Sequence, residues 1–450
     1  MKYRLMKMEL SGIKNISKPM TINFLGDTIA RNRKLSAANS NVKAIFGPNG
    51  SGKSAIMNAV DMYIEMTTNY AFFLKEGVDS RVSKLINKIT NVFSITMYFA
   101  ITADDDTIVK VLSHKIAVAK KADRLRIIEE SICEYRGASL NSECEVMLCI
   151  KDGVIRELVS EPGNGFTEII SGRLLSVADV SSVVSFVDSS AVVNDLNTKI
   201  KNLGDRVVIA DYSKAFDDII TIYMAVNNVQ VYLDEADEHR NLINAESLKL
   251  MQDYLASDIA EGFVDVTEDV IEKSEYDNYI NQIRNLTSFI QIFKPELQRI
   301  DINCKEDHSM LHVTKEFVYD GYRVDEEYES AGIRKLIQLF SFLDAASNGG
   351  IVFIDEMDTN INDVYLRRLV EYFVSYGKGQ LIFTTHNLSP MEVLRKVKRG
   401  IDFINPDNED ITWIKNGNYS PEKQYSEGYI PGIPYNSEAF DFLKCFGKED

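Results

Sequence analysis

Eight consecutive residues, Gly47-Pro48-Asn49-Gly50-Ser51-Gly52-Lys53-Ser54, have the residue types and the spacing of a phosphate-binding loop. Their glycines leave room for backbone N–H groups to turn inward around a polyphosphate. The Lys53 ammonium can reach the terminal phosphates, and the Ser54 hydroxyl can bind Mg²⁺. The loop follows the apolar stretch Val42–Phe46 and precedes a helical pattern, so the helix N-terminus points at the anion. The sequence therefore predicts a site for a nucleoside triphosphate with Mg²⁺.

A second segment supplies carboxylates of the kind that this chemistry needs. The four apolar residues 351–354 predict a buried parallel strand, and Asp355 and Glu356 follow at its carboxyl end, where such sheets bind ligands. Asp355 is predicted to hold Mg²⁺ through water, and Glu356 to polarise the attacking water as general base. Together with the phosphate-binding loop, these residues predict an ATPase.

Two further segments flank this strand. His386 ends the next apolar strand, predicted over residues 380–386; a lone histidine is usually structural, but this position favours contact with a γ-phosphate. Ser330 opens an amphipathic helix whose apolar face comprises Ile333, Leu336, Ile337, Phe340 and Leu343. Two interpretations stay open for Ser330: a simple N-cap, or a second anion site formed with the Gly332 N–H and the helix dipole.

Composition narrows the class of protein. The chain has 450 residues, 45% of them hydrophobic, and a net charge of −17, which argues against non-specific coating of DNA. Residues 234–277 alone contain 14 acidic and 3 basic residues. This acidic segment is either a solvated face or a docking surface for a basic partner. No apolar run is long enough to span a membrane, no signal peptide is recognised, and the five cysteines lack metal-site spacing. A cytoplasmic location is expected.

The elements that must position these residues predict an α/β fold: a mixed sheet with flanking helices, interrupted by a mainly helical insertion. Residues 26–41, with Arg31, Arg33 and Lys34, are either a solvated connector or a contact with nucleotide or nucleic acid. The polypeptide is divided into an N-terminal half of the head (1–160), the insertion (161–297), a C-terminal half of the head (298–420) and a tail (421–450). Predicted strands cover 2–10, 20–25, 42–46, 92–101, 107–118, 143–150, 154–159, 300–304, 310–319 and 322–324. Predicted helices cover 55–66, 79–88, 191–203, 205–232, 245–255, 276–293 and 440–446.

These motifs together resemble the heads of ABC-type ATPases, the group that includes SMC, Rad50, RecF and OLD-like proteins. The runs 329–336 (Glu-Ser-Ala-Gly-Ile-Arg-Lys-Leu) and 355–359 (Asp-Glu-Met-Asp-Thr) look most like the AAA_15 and AAA_21 ATPases of bacterial phage-defence systems, such as the PARIS, Septu and Abi-type subunits. The resemblance covers roughly residues 1–120 and 298–415.

The resemblance implies that two heads sandwich two ATP molecules. Ser54 and Asp355 would then hold Mg²⁺, Glu356 would be the catalytic base and His386 the γ-phosphate switch. It further implies that Ser330, Gly332 and either Lys335 or Arg334 act on the ATP of the opposite protomer. Asp358 would lie in the inter-subunit loop. Two departures are evident. Asn362-Asp363 replaces a frequent His-Pro, and no glutamine follows residues 92–101 in the position of the usual Mg²⁺-contacting loop.

The resemblance implies a switch subunit of an anti-phage system of the abortive-infection type. It would work as a homodimer or higher homo-oligomer, sense a nucleic acid or a phage protein, and control a separate effector, a nuclease. The residues after Trp413 are too few for the nuclease domain of OLD proteins. The alternative is a RecF- or SMC-like repair ATPase that clamps DNA on ATP binding, although the sequence shows no basic helix or stripe. A transporter subunit is excluded because too many residues separate Lys53 from Asp355.

Overall fold

The structure, a computed structural model, describes residues 1–29, 33–35, 41–121, 124–137, 139–159, 181–188, 206–233, 265–413 and 420–430; for 206–216 it describes the backbone alone. Its strands are β1 (Lys2–Ser11), β2 (Met20–Asn23), β3 (Val42–Phe46), β4 (Val92–Thr102), β5 (Ile108–Lys121), β6 (Arg124–Tyr135), β7 (Cys144–Lys151), β8 (Val154–Leu158), β9 (Val229–Tyr232), β10 (Val270–Glu272), β11 (Arg299–Asp307), β12 (Met310–Tyr319), β13 (Tyr322–Asp325), β14 (Ile351–Ile354), β15 (Gln380–Thr384), β16 (Ile401–Ile404) and β17 (Asp410–Thr412). Its α-helices are α1 (Lys53–Thr68), α2 (Val78–Leu85), α3 (Arg206–Asn227), α4 (Tyr276–Phe293), α5 (Ala331–Asn348), α6 (Asp363–Tyr376), α7 (Met391–Leu394) and α8 (Pro421–Ser426).

A six-stranded sheet forms the centre, in the order β17-β16-β3-β15-β14-β9. The strands β16, β3, β15, β14 and β9 run parallel, and β17 is the antiparallel edge. Every residue of β3, β14, β15 and β16 is buried, as expected for parallel strands covered on both faces. Because β3, β14 and β15 are parallel neighbours, the segments that follow them meet at one edge of the sheet.

A seven-stranded antiparallel sheet, ordered β2-β1-β4-β5-β6-β7-β8, packs against α1. The predicted hairpin around Asp152-Gly153 is present, with both turn residues at positive φ, 49° and 74°. The sequence prediction did not include β6, which pairs with both β5 and β7. The antiparallel sheet, α1, the C-terminal part of α3 and residues 183–186 share one apolar core.

A third sheet, β10-β12-β11 with β13 beside β12, lies next to α4 and α5. The predicted helix 276–293 coincides with α4, and the predicted strand 310–319 with β12. These elements pack with the other face of the central sheet into a second core. The structure is thus the predicted α/β class, a mixed arrangement of sheets and flanking helices.

The predicted helix 205–232 is wrong at its end. Helix α3 stops at Asn227, and β9 pairs in parallel with β14, Val229 opposite Ile351 and Tyr232 opposite Ile354. The β-branched pair Val229 and Val231 suits a strand, and β14 supplies the hydrogen bonds that a short strand cannot form by itself. Part of the predicted insertion therefore belongs to the central sheet.

Several sequence predictions lie outside the described residues. These are the helices 191–203, 245–255 and 440–446 and the acidic residues 234–264. In the part of the chain that the structure describes, no helix has the length and apolarity needed to cross a membrane.

Candidate nucleotide-binding site

The phosphate-binding loop joins β3 to α1, as predicted. A Cβ on Gly47 would lie 2.5 Å from the carbonyl oxygen of Ile404 on β16, too close for any side chain. Gly50 and Gly52 adopt φ of 79° and 109°, the left-handed region that glycine tolerates best. The loop can therefore follow this path only with glycine at these positions, and it ends at the N-terminus of α1.

Lys53 lies in the concave side of the loop and is only 7% exposed. Its Nζ donates to the carbonyl oxygens of Gly47 (2.7 Å) and Pro48 (3.1 Å). Burial lowers the pKa of Lys53, while Asp355 and Glu356 act in the opposite direction. The loop lysine and the two predicted carboxylates thus share one electrostatic environment at the edge of the sheet.

Two asparagines, neither of them predicted, fix the loop from outside. The Asn15 amide donates to the Gly50 carbonyl at 2.7 Å, and the Asn408 amide donates to the Ser51 carbonyl at 2.8 Å. Asn408 lies between β16 and β17 with a φ of 62°, which asparagine tolerates better than most residues. The position of Asn408 in a turn after an apolar strand was the available sequence signal.

Thr384 connects the two strands that carry the predicted catalytic residues. Its hydroxyl donates to Asp355 Oδ1 at 2.5 Å and accepts from the backbone N–H of Glu356 at 2.8 Å. Asp355 is 8% exposed, and its backbone N–H donates to the Tyr232 carbonyl at 2.9 Å. Glu356 adopts a left-handed φ of 47°, so the chain turns sharply at the residue predicted to be the base. No role was predicted for Thr384.

His386 lies just beyond β15, on the same edge. Its imidazole is open to solvent, yet partial desolvation and the nearby Lys53 lower its pKa, while Asp358, Glu356 and Asp355 oppose that shift. The lowered pKa keeps the imidazole neutral at pH 7, with one nitrogen as donor and the other as acceptor. His386 thus lies beside Lys53 and the carboxylates, and its contact with a γ-phosphate stays a prediction.

Ser330 is the N-cap of α5, since its Oγ accepts from the Ile333 N–H at 3.3 Å, and its side chain is exposed. A Cβ on Gly332 would lie 2.9 Å from the carbonyl oxygen of Asn360, so the start of α5 packs closely on the loop after Glu356. Asp358 lies in that loop and has a buried Oδ1 without a hydrogen-bond partner among the described residues. The helix start and this loop therefore form one continuous surface.

The structure places Lys335 away from that surface. Its side chain is 3% exposed, with Nζ 3.3 Å from the Tyr232 hydroxyl and 4.3 Å from the centre of the tyrosine ring. Arg334, the alternative that the sequence offered, is exposed. A cation reaching another protomer from this helix is therefore better supplied by Arg334 than by Lys335, because Lys335 would first have to break its contacts with Tyr232.

The residues at this edge fit ATP and Mg²⁺. The glycine loop leaves a backbone cradle that any Cβ at Gly47 would fill, and Ser54 and Asp355 are oxygen donors at its margin. Among the described residues there is no cluster of three or more His, Cys, Asp or Glu side chains that could enclose a metal. This donor set suits Mg²⁺, which keeps several waters and takes one or two protein ligands plus substrate phosphates.

The fold and the residues at this edge are in keeping with a phosphate-loop ATPase. Residues 173–391, just under half of the chain, match the sequence model of the AAA_21 family, described as "AAA domain, putative AbiEii toxin, Type IV TA system". The matched segment contains Ser330, Asp355, Glu356 and His386. No curated protein matches the chain.

Solved structures similar to this chain include three SMC heads. The Smc head domain with an extended coiled coil bound to the C-terminal domain of ScpA, from Pyrococcus furiosus, is 14% identical, with coverage of 91% of this chain and 96% of that chain and a TM-score of 0.41. The SmcHead bound to the C-winged helix domain of ScpA is 15% identical, with coverages of 93% and 99% and a TM-score of 0.44. The SMC head domain from Thermotoga maritima is 13% identical, with coverages of 92% and 100% and a TM-score of 0.33.

The resemblance to AAA_21 ATPases that was inferred from the sequence is confirmed. The match over residues 173–391, together with the phosphate-binding loop, supports an ATPase head related to the AAA_21 family. Its phosphate loop, Asp-Glu strand and histidine lie at one sheet edge, in keeping with ATP binding and ATPase activity.

Proposed function

We propose that this protein is a Mg²⁺-dependent ATPase with a composite site between two protomers, and that it serves as the ATP-driven switch of an anti-phage system. The observation that carries the proposal is the convergence of Lys53, Asp355, Glu356 and His386 at one edge of the central sheet. An ammonium group, two carboxylates and an imidazole around a glycine-rich cradle are suited to phosphoryl transfer to water.

Within one protomer, separate residues bind the phosphates, hold the metal and activate water. Gly47 to Ser54 would bind the phosphates; Ser54 and Asp355 would hold Mg²⁺, which would neutralise charge on the phosphate oxygens. Glu356 accepts the proton of the attacking water. The neutral His386 donates a hydrogen bond toward the γ-phosphate position. Thr384 keeps Asp355 and the backbone of Glu356 in fixed relation through its two hydrogen bonds.

A second protomer completes the site in this proposal. Ser330 and Arg334 are exposed at the start of α5, and Gly332 packs on the loop that carries Asp358. This surface offers a hydroxyl, a helix N-terminus and a cation to an anion outside its own chain. A homodimer, or a larger homo-oligomer built from such pairs, would therefore close on ATP and open after hydrolysis.

The biological part of the proposal rests on the family. The AAA_21 description names an AbiEii-type toxin and a toxin–antitoxin system. We infer that this chain occupies the cytoplasm, senses a phage-derived protein or nucleic acid, and controls a separate effector, a nuclease. The ATP-dependent closing of the heads would couple recognition of the trigger to release of the effector.

Mixing two inactive variants tests the composite site. Lys53→Ala and Ser330→Ala homodimers should each be inactive, whereas random pairing in a 1:1 mixture should restore roughly a quarter of the wild-type ATPase rate. The matched control replaces Ser330→Ala by the double variant Lys53→Ala/Ser330→Ala, which offers no intact loop and should restore nothing. An inactive first mixture, in variants that still dimerise, would show that the site is not shared.

The switch role is tested in cells challenged with a panel of phages. Protection should require the gene neighbouring this one, and Lys53→Ala should abolish protection while leaving co-purification with the neighbour's product intact. Absence of any protection, combined with ATP-dependent clamping of DNA, would favour the RecF- or SMC-like repair head instead.

A further inference from the structure

Four cations lie within five residues of each other between α7 and β16, and they line a pocket of about 580 Å³. We call it the basic pocket; its walls are Asn23, Arg395, Lys396, Val397, Lys398, Arg399, Thr412 and Trp413. Sequence analysis did not recognise this stretch as a basic element, because it is a turn and not a helix or a stripe.

The backbone turns tightly here, and this directs the cations outward. The Val397 N–H donates to the Leu394 carbonyl at 2.8 Å, and the Gly400 N–H donates to the Val397 carbonyl at 3.2 Å. Val397 is 5% exposed and anchors the turn in the core, while Lys396 and Lys398 on either side of it are exposed. The turn is thus a fixed platform for charged side chains.

None of these four cations has an acidic partner in the part of the chain that the structure describes. The nearby carboxylates are engaged elsewhere: Glu392 pairs with Arg367 at 2.7 Å, and Asp402 pairs with Lys43. The chain as a whole carries a charge of −17, so acidic residues to neutralise such a cluster are plentiful. A cluster of like charges left without a partner in such a chain favours an external anion.

The basic pocket is separate from the nucleotide-binding site. Ile404, at the carboxyl end of β16, abuts Gly47 of the phosphate loop. The basic turn precedes the amino end of the same strand, where the Gly400 carbonyl accepts from the Ala44 N–H at 2.9 Å. The two sites therefore lie at opposite ends of the parallel strands of the central sheet.

We propose that the basic pocket binds single-stranded nucleic acid. Arg395, Lys396 and Lys398 would contact successive phosphates, and the partly buried Trp413 indole would stack on a base. The indole packs in part against the second core, which holds the ring beside the cations. Cations beside an aromatic ring in a concave site are the features by which proteins hold single strands, whereas an acidic peptide would need only the cations.

This inference rests on the part of the proposed function in which a nucleic acid is one of the two triggers, and it does not depend on ATP hydrolysis. It assigns a nucleic-acid strand as a ligand of the head itself, at a site that ATP does not occupy. Binding should therefore be measurable on the full chain without nucleotide, and ATP should not displace the strand.

Trp413 is the only tryptophan in the chain, so its fluorescence reports on the basic pocket alone. Titration with unlabelled oligo(dT) or oligo(U) of about 20 nucleotides should quench that emission to saturation, and anisotropy of a labelled strand should give the affinity. The double variant Lys396→Gln/Lys398→Gln should bind roughly tenfold more weakly and lower the slope of log K against log salt by about 1.4, since each lost phosphate contact contributes about 0.7 for a single strand. Trp413→Phe, which keeps a ring, should retain most of the anisotropy signal.

The matched control, Lys75→Gln/Lys84→Gln, removes the same charge from exposed lysines near α2 and should leave binding unchanged. Three results overturn the proposal: no quenching of Trp413, equal weakening by the control variant, or displacement of the strand by ATP. Tighter binding of polyglutamate that is lost in Lys396→Gln/Lys398→Gln would assign the pocket to an acidic peptide. Tighter binding of a duplex of the same length would overturn the single-strand assignment.

Discussion

The Thr384 hydroxyl is hydrogen-bonded to Asp355 at 2.5 Å, and this contact joins the two strands on which the candidate catalytic groups depend. The same oxygen accepts from the N–H of Glu356 at 2.8 Å, so one side chain orients the predicted Mg²⁺ ligand and the predicted base together. Such an outer-shell contact fixes the ligand carboxylate and the position of the general base. Thr384 is therefore a positioning residue.

Replacing Thr384 by valine should lower kcat roughly 10- to 100-fold, the usual effect of losing a contact that orients a metal ligand. Valine keeps the shape but leaves the Glu356 N–H without an acceptor and Asp355 without its donor. The concentration of Mg²⁺ needed for half-maximal activity should also rise. Thr384→Ser retains the hydroxyl and should stay near wild type; equal loss in both variants would point to packing instead.

Glu356→Gln should reduce the ATPase rate by about 10²- to 10⁴-fold while preserving ATP binding, because the amide cannot accept the proton of the attacking water. Turnover in steady state, ATP affinity by filter binding and the oligomer by light scattering check this together. The variant should accumulate as a closed, ATP-bound dimer. Full hydrolysis in Glu356→Gln would remove Glu356 from the role of base.

The sequence predicted the phosphate-binding loop and the elements on either side of it because interactions between residues close in sequence determine their conformation. The left-handed φ of Gly50 and Gly52, the buried run 351–354 and the amphipathic α4 each follow from residues adjacent in sequence. The Ser330 N-cap is of the same kind, since its partner Ile333 lies three residues away.

What the sequence could not show depends on partners far along the chain. Strand β9 exists because β14 supplies its hydrogen bonds, and its four residues alone cannot be distinguished from the end of a helix. Asn15, Asn408 and Thr384 are polar residues whose roles arise only when distant strands meet. The basic pocket likewise needs β2 and β17 to bring Asn23 and Trp413 beside the turn.

Arg334 and Lys335 should respond differently to mutation, although they are adjacent. Arg334→Ala removes an exposed cation and should lower the ATPase rate of the assembled protein with little change in Tm. Lys335→Ala removes the buried ammonium that contacts the ring and hydroxyl of Tyr232, and should lower Tm. Thermal melts and rates measured on both variants test the assignment; a loss of rate confined to Lys335→Ala at unchanged Tm would restore Lys335 to the interface.

Glu130 stabilises the junction between α1, the antiparallel sheet and residues 181–188. Both of its oxygens accept from the Val183 N–H, at 3.1 and 3.0 Å, and it also binds the Ser182 hydroxyl and His114 Nε2. His114 Nδ1 in turn lies 2.9 Å from the Tyr63 hydroxyl of α1. Because these groups are buried, Glu130→Ala leaves several of them unpaired.

We expect Glu130→Ala to destabilise the protein by about 3–5 kcal/mol, the range for breaking a buried charged network. The neighbouring Glu129 forms a more exposed ion pair with Lys115, and Glu129→Ala should cost at most about 1 kcal/mol. Urea unfolding of both variants measures the difference. Similar losses from both would show that the network contributes no more than a surface pair.

Asp410 on β17 should make the protein less stable as pH rises. Its Oδ1 is buried without a partner among the described residues; burial raises its pKa well above the ordinary value, the Asp402 carboxylate adds to the shift, and Lys43 opposes it. Between the pKa of the unfolded chain, about 3.9, and the raised pKa of the fold, the folded state holds one more proton than the unfolded state. The free energy of unfolding therefore falls with rising pH across that window.

Asparagine cannot ionise, so the Tm advantage of Asp410→Asn should widen as pH increases from about 4 and then level off above the folded pKa. Differential scanning fluorimetry across this range, with exposed Asp407→Asn as the control, measures that advantage; a difference that shrinks as pH rises would mean that Asp410 is ionised in the fold.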